Sequence, residues 1–250
     1  MSKARSLFAC VVLLATALTA LSTAQVAEAS NYTSTSWKTV INDTFDGTTM
    51  PSHWRAYNGK HRANCSRTSH ATVSGGQLHL KLKYDSSGDC GAAWYSGGVT
   101  LTESMSAPNQ RVTVKFRITN SNGIVGHRIV PMLNPNDGTG IGEQDLCEST
   151  PYSFCSTFLH YGAPGTTQVR KKYYVDLTQW HTMQFTTNGN RVIAIIDGVK
   201  VWDYTGSSTT LPRKLRHVVL QQECIKFGCP ATHSGYEDIK IDSIKVENGN

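Results

Sequence analysis

Apolar and polar residues alternate one by one along most of this chain, the two-residue period of half-buried β-strands. Residues 77–84, Gln-Leu-His-Leu-Lys-Leu-Lys-Tyr, set Leu78, Leu80 and Leu82 on one face. Residues 111–118, Arg-Val-Thr-Val-Lys-Phe-Arg-Ile, do the same with Val112, Val114, Phe116 and Ile118. Further strands are predicted over 182–187, 191–197, 200–204, 218–220 and 239–246. Asn188-Gly189 and Asp197-Gly198 are hairpin signals between three of them. No stretch beyond the N-terminal segment has a helical period, and no repeat or low-complexity tract interrupts the pattern. Many short strands joined by glycine-containing turns predict an all-β sandwich or jelly roll.

The first residues read differently. Lys3 and Arg5 precede an apolar run from Leu7 to about Leu21, and Ala27-Glu28-Ala29 fits a cleavage site, with Ser22-Thr23-Ala24 as a second candidate. The expectation is a signal peptide over 1–29, a single exported domain over 30–250, and no membrane association after cleavage. Loss of Lys3, Arg5 and Glu28 takes the formal charge from +6 to +5. That mild excess contains no dense basic block, which argues against nucleic acid as a partner and allows an acidic polymer.

Cys10 would leave with the signal. Cys65, Cys90, Cys147, Cys155, Cys224 and Cys229 remain, an even set suited to disulfides in an exported chain. Six cysteines allow fifteen pairings; sequence neighbours suggest Cys65–Cys90, Cys147–Cys155 and Cys224–Cys229. The absence of a C-x-x-C pair argues against zinc. Asn31, Asn42 and Asn64 each begin a glycosylation sequon.

The chemistry concentrates at Gly142-Glu143-Gln144-Asp145-Leu146-Cys147-Glu148. Glu143 and Asp145, two apart, project from the same face of a strand. Plain alternation sends Glu148 to the other face. One extra residue, a β-bulge at Leu146–Cys147, would bring it back beside the others. Three crowded carboxylates repel unless they are solvated, hold a cation or share chemistry. Two on one surface are what glycoside hydrolysis requires.

The E-x-D-x-x-E motif resembles family 16 glycoside hydrolases, the laminarinase and lichenase group. Asp43-Thr-Phe-Asp-Gly47 with His53-Trp54, Tyr95-Ser-Gly-Gly-Val99, Leu133-Asn-Pro135, His160-Tyr-Gly162, Trp180-His181-Thr182, Ile195-Ile-Asp-Gly198 and the stretch 238–246 resemble that family's other segments, in the same order. The resemblance implies a concanavalin-like jelly roll of two curved antiparallel sheets and a retaining, endo-acting hydrolase. Glu143 would then be the nucleophile, Glu148 the acid/base and Asp145 the residue that tunes them; transfer to another sugar instead of water is also compatible. It further implies a possible structural calcium, for which Gly47 and Asp242 are the matching positions, and no required cofactor.

Where the family usually carries tryptophans, residues 126–132 and Thr187 have none, and Gln144 replaces an apolar residue. Arg128 and His127 would face the cleft and contact an acidic or sulfated sugar; His160, Trp94, Tyr95 and Tyr161 are the other candidate substrate contacts. The partner is a polysaccharide and the chain is expected to be monomeric. Two alternatives stand: a non-catalytic carbohydrate-binding jelly roll, and a polysaccharide lyase, which would abstract a proton with Tyr or His.

Overall fold

The computed structural model describes residues 36–61, 64–162, 167–224 and 234–249. The predicted signal segment, Asn31 and Cys229 lie outside the described residues. Alternating burial produces the strands. β6 (Gln77–Asp85) buries Leu78, Leu80 and Leu82, and β9 (Gln110–Asn120) buries Val112, Val114, Phe116 and Ile118, as the pattern predicts.

The other strands, in chain order, are β1 (Trp37–Asp43), β2 (Trp54–Ala56), β3 (Gly59–His61), β4 (Asn64–Ser66), β5 (Ala71–Ser74), β7 (Ala93–Ser96), β8 (Gly98–Leu101) and β10 (His127–Pro135). They continue with β11 (Gln144–Ser149), β12 (Phe154–His160), β13 (Gln168–Tyr174), β14 (His181–Asn188), β15 (Arg191–Ile196), β16 (Val199–Thr205), β17 (Arg216–Glu223) and β18 (Tyr236–Gly249).

Two sheets result. One has eleven strands in the order β16-β15-β14-β9-β18-β6-β7-β4-β3, with β1 beside β18 and β5 beside β6. The other has seven, β13-β12-β11-β10-β17-β8-β2, all antiparallel. The sequence hairpins are present: Asp197 and Gly198 both take positive φ, as a two-residue turn between β15 and β16 requires.

The core lies between the sheets. Leu78, Val114, Phe116, Phe185 and Ile241 from the larger sheet meet Val99, Leu133, Leu146, Cys147, Val218 and Leu220 from the smaller. Outside its bulges, every second residue of the seven-stranded sheet therefore faces away from this core, onto a face where Ile129, Met132 and Val219 form a separate apolar cluster with Tyr57. This architecture is the expected all-β, jelly-roll-type sandwich. Residues 37–249 form one compact unit. Among the described residues, no helix is long and apolar enough to cross a membrane.

Cys65–Cys90 and Cys147–Cys155 are bonded, as sequence proximity suggests. Cys224 is also in a disulfide; its expected partner, Cys229, lies outside the described residues. Asn42 is exposed on β1, whereas Asn64 is 8% exposed, with its amide nitrogen donating to Ser66 and Ser96.

Candidate active site

The acidic motif folds around an extra residue. Opposite β12, Asp145 pairs with Phe158 and Glu148 with Ser156, so three steps along β11 match two along β12. Opposite β10 the count stays even, Asp145 with Met132 and Glu148 with Ile129. β10 then carries the same irregularity against β17, between Ile129 and Met132. The bulge thus runs across both strands. Leu146 and Cys147, adjacent in sequence, both enter the core, at 0% and 1% exposure. Asp145 and Glu148 consequently share the face turned away from the core, Asp145 buried and Glu148 half-buried.

Side chains hold this distortion in place. The Leu146 carbonyl accepts hydrogen bonds from the Thr157 hydroxyl and the Tyr173 hydroxyl, each at 2.7 Å. Burial pushes the Tyr173 phenol above its ordinary pKa, so it stays a donor. The Cys147–Cys155 disulfide ties the bulge to β12 from the core side. Gly142 sets the approach. Its φ is +92°, and a Cβ there would meet Pro212, Lys214 and Arg216. Its carbonyl accepts from Arg216 Nε at 2.6 Å, and backbone bonds from Gly142 N to the His160 carbonyl and from His160 N to the Glu143 carbonyl hold Glu143 opposite His160.

Ligand atoms of Glu143, Asp145 and His160 lie within 4.8 Å of one another. His160 Nε2 is 2.9 Å from Asp145 Oδ2. Burial raises the Asp145 pKa, and the hydrogen bond to Asp145 raises that of His160. The two groups favour a shared proton, which leaves Glu143 beside a neutralised neighbour. The same three donors could instead hold a small cation.

One partnership has no signal in the sequence. His127 Nε2 lies 2.8 Å from Glu148 Oε1, and its Nδ1 lies 3.1 Å from Glu223 Oε1. Burial opposes a charged imidazole, but the hydrogen bonds and charges of both glutamates outweigh it and lift His127 to about 9. His127 is therefore an imidazolium at neutral pH, clamped between two carboxylates. Glu223, at the end of β17, has no motif of its own; only the sheet order brings it here.

The expected sugar contacts divide. His160 stands beside the acids, and Tyr161 is half-buried just after β12. Arg128 does not face the cleft. It is 1% exposed, pairs with the buried Glu237 at 3.0 Å, and lies over the Tyr152 ring, because alternation on β10 turns it inward while His127 faces out. Trp94 and Tyr95 are also corrected. Trp94 packs against Leu82 and Ile124, and Tyr95 is 1% exposed with its hydroxyl bonded to the Cys90 amide and the Gly91 carbonyl.

Gln144 is explained by Thr187, whose hydroxyl donates to its side-chain oxygen at 2.6 Å across the sandwich. At the positions matched to calcium, Gly47 is exposed after β1, and Asp242 is engaged by Lys115 Nζ at 3.0 Å. An ammonium so close does not suit a calcium ligand.

A sequence profile of the 3-keto-alpha-glucoside-1,2-lyase-like domain matches residues 41–241. No curated protein sequence matches significantly. Among solved structures, SCLam, a non-specific endo-beta-1,3(4)-glucanase from family GH16, superposes with a TM-score of 0.70 at 18% identity, covering 86% of this chain and 92% of that one. The Rhodothermus marinus laminarinase gives 0.72 at 16%, covering 87% and 99%. The catalytic domain of the Thermotoga petrophila RKU-1 endo-1,3-beta-glucanase (laminarinase) gives 0.70 at 16%, covering 86% and 99%. The chain thus has the fold of the family 16 laminarinases, as its motif order suggested, and by sequence it belongs to the 3-keto-alpha-glucoside-1,2-lyase-like domain family.

Proposed function

We propose that this chain is an exported glycoside hydrolase that cleaves β-glycosidic bonds within a polysaccharide by a retaining double displacement. The observation that supports this reading is the bulge, which turns Asp145 and Glu148 to the same side of β11, with Glu143 close to Asp145. Laminarinase-like neighbours support it.

The Glu143 carboxylate attacks the anomeric carbon while Glu148, taking the proton that the adjacent His127 imidazolium shares with it, passes that proton to the departing glycosidic oxygen. The C–O bond to the leaving sugar breaks and a glycosyl ester on Glu143 forms. Glu148, now ionised, takes a proton from water. The oxygen of that water attacks the same carbon and releases Glu143, which leaves Glu148 with the proton it started with. Asp145 and His160 share a proton beside the nucleophile and limit the negative charge that accumulates there. His127 holds one Glu148 oxygen and leaves the other for the substrate.

Replacing Glu143 with Gln should abolish turnover in a folded protein. Replacing Glu148 with Gln should spare partial activity on aryl glycosides with good leaving groups. Either variant cleaving polymer at the parent rate overturns the assignment. The lyase-like name of the family keeps β-elimination as a second reading. It predicts unsaturated products that absorb in the near ultraviolet, whereas hydrolysis yields none.

A further inference from the structure

The open face changes character beyond the acids. Along successive strands, Asp145 pairs with Phe158 and Phe158 with Arg170; Glu148 pairs with Ser156 and Ser156 with Lys172. Strands lie ~4.8 Å apart, which sets Arg170 and Lys172 about 10 Å of sheet from the acids. Both are exposed. Among the described residues, neither has a carboxylate within ion-pair distance.

Neither cation dangles in solvent. The Arg170 guanidinium sits 4.9 Å from the centre of the Phe158 ring and donates to Ser156 Oγ at 3.3 Å. Lys172 Nζ lies 3.5 Å over the Phe154 ring and 4.9 Å from that of Tyr174. Phe158 also stacks on His160, which bonds Asp145. A continuous row therefore leads from the reacting centre to two seated cations. Charged residues that merely guard an edge strand need no such seating.

The two phenylalanine faces of β12 are taken in consequence, and Tyr174, at the far end of β13, is the exposed ring of this row. Neutral sugars bind largely by laying their C–H faces on open rings. Here Arg170 covers Phe158, and Lys172 covers Phe154. The tryptophans lie elsewhere: Trp54 and Trp94 are buried, Trp37 and Trp180 stack with Arg111 and Arg117 of β9, and Trp202 packs against the core.

We infer that this face binds a polysaccharide bearing carboxylate or sulfate groups, with Arg170 and Lys172 as the residues that hold those groups. Such a polymer is the substrate class of the hydrolase proposed above, and its cleavage once bound rests on that reading. The negative groups lie on sugars toward β13, because Glu143 and the Glu148–Glu223 pair, which the single His127 charge only partly offsets, repel them at the centre.

Binding is measured directly, by titration calorimetry of the Glu143→Gln protein with alginate (a polyuronate), κ-carrageenan (a sulfated galactan) and laminarin (a neutral glucan). At least one anionic polymer should bind about tenfold more tightly than laminarin at low salt and weaken as salt rises. Which of the two binds distinguishes carboxylate from sulfate. The added pair Arg170→Gln and Lys172→Gln should cost that polymer about tenfold and leave laminarin unchanged. Equal or tighter binding of laminarin, or anionic binding untouched by the pair, overturns the inference. Cleavage of laminarin by the parent together with no anionic binding would remove this inference and keep the hydrolase. Anionic binding with no hydrolysis of any of the three would do the reverse.

Discussion

His127 Nε2 lies 2.8 Å from Glu148 Oε1, the carboxyl proposed to move the proton during cleavage. The opposite ring nitrogen is 3.1 Å from Glu223. A single imidazolium thus bridges two carboxylates that would otherwise repel, and it fixes the rotamer of the one that faces substrate.

Activity should follow this charge. The His127 pKa stands near 9, so kcat/KM should fall as pH rises through that value and the clamp loses its proton. In His127→Gln the overall rate is lower and this alkaline limb is gone. A pH–rate profile of the two proteins checks it; an unchanged limb near 9 in the variant contradicts it.

Stability should carry the same signature. A folded value raised from 6.5 to about 9 means that the clamp's contribution is complete below about 6.5 and disappears as pH climbs through about 9. Urea midpoints of parent and His127→Gln, compared at pH 6 and well above 9, should therefore draw together at the alkaline end. A constant gap would show that the proton is not involved.

Tyr173 and Thr157 both donate to the Leu146 carbonyl that the bulge releases from the strand ladder. Tyr173→Phe keeps the ring and removes one donor, at a cost of about 1 kcal/mol. Because the bulge places Glu148, kcat should fall by more than this small loss of stability implies. Chemical denaturation alongside kinetics separates the two.

The Cys147–Cys155 bridge closes a short loop beneath the same feature. Its removal by paired alanine substitutions should lower stability by roughly 2–3 kcal/mol, as loop-closure entropy suggests. At temperatures well below unfolding, activity should still be reduced, since the bulge has lost its tie to β12. Full activity in the folded variant would show that the bridge serves stability alone.

Thr187→Val should leave the buried Gln144 oxygen without its donor and cost about 1–3 kcal/mol, with Thr187→Ser restoring most of it. Thermal unfolding of both variants tests the pairing.

Much of this fold was legible because alternation is a local signal. Leu78-Leu80-Leu82 and Val112 through Ile118 needed no tertiary information to declare their faces. The acids were legible for the same reason, once a bulge was allowed at Leu146–Cys147. Arg128 was misplaced because a charged side chain is expected outside. Here Glu237, Tyr152 and the carbonyls of Gly126 and Thr150 make the interior tolerable for it. Trp94 and Tyr95 were misplaced because their short strand is buried on both faces, which leaves no alternation to read. Glu223 and the Phe158–Arg170 stack depend on sheet order and register, which no single segment encodes.

Double displacement by two carboxylates on one bulged strand fixes the stereochemistry of the product. Proton NMR of the new reducing end during cleavage of a β-linked polymer tests it most directly. Retention makes the β-anomer appear first and then mutarotate to the mixture. An α-anomer appearing first, or an unsaturated end group in its place, would contradict it.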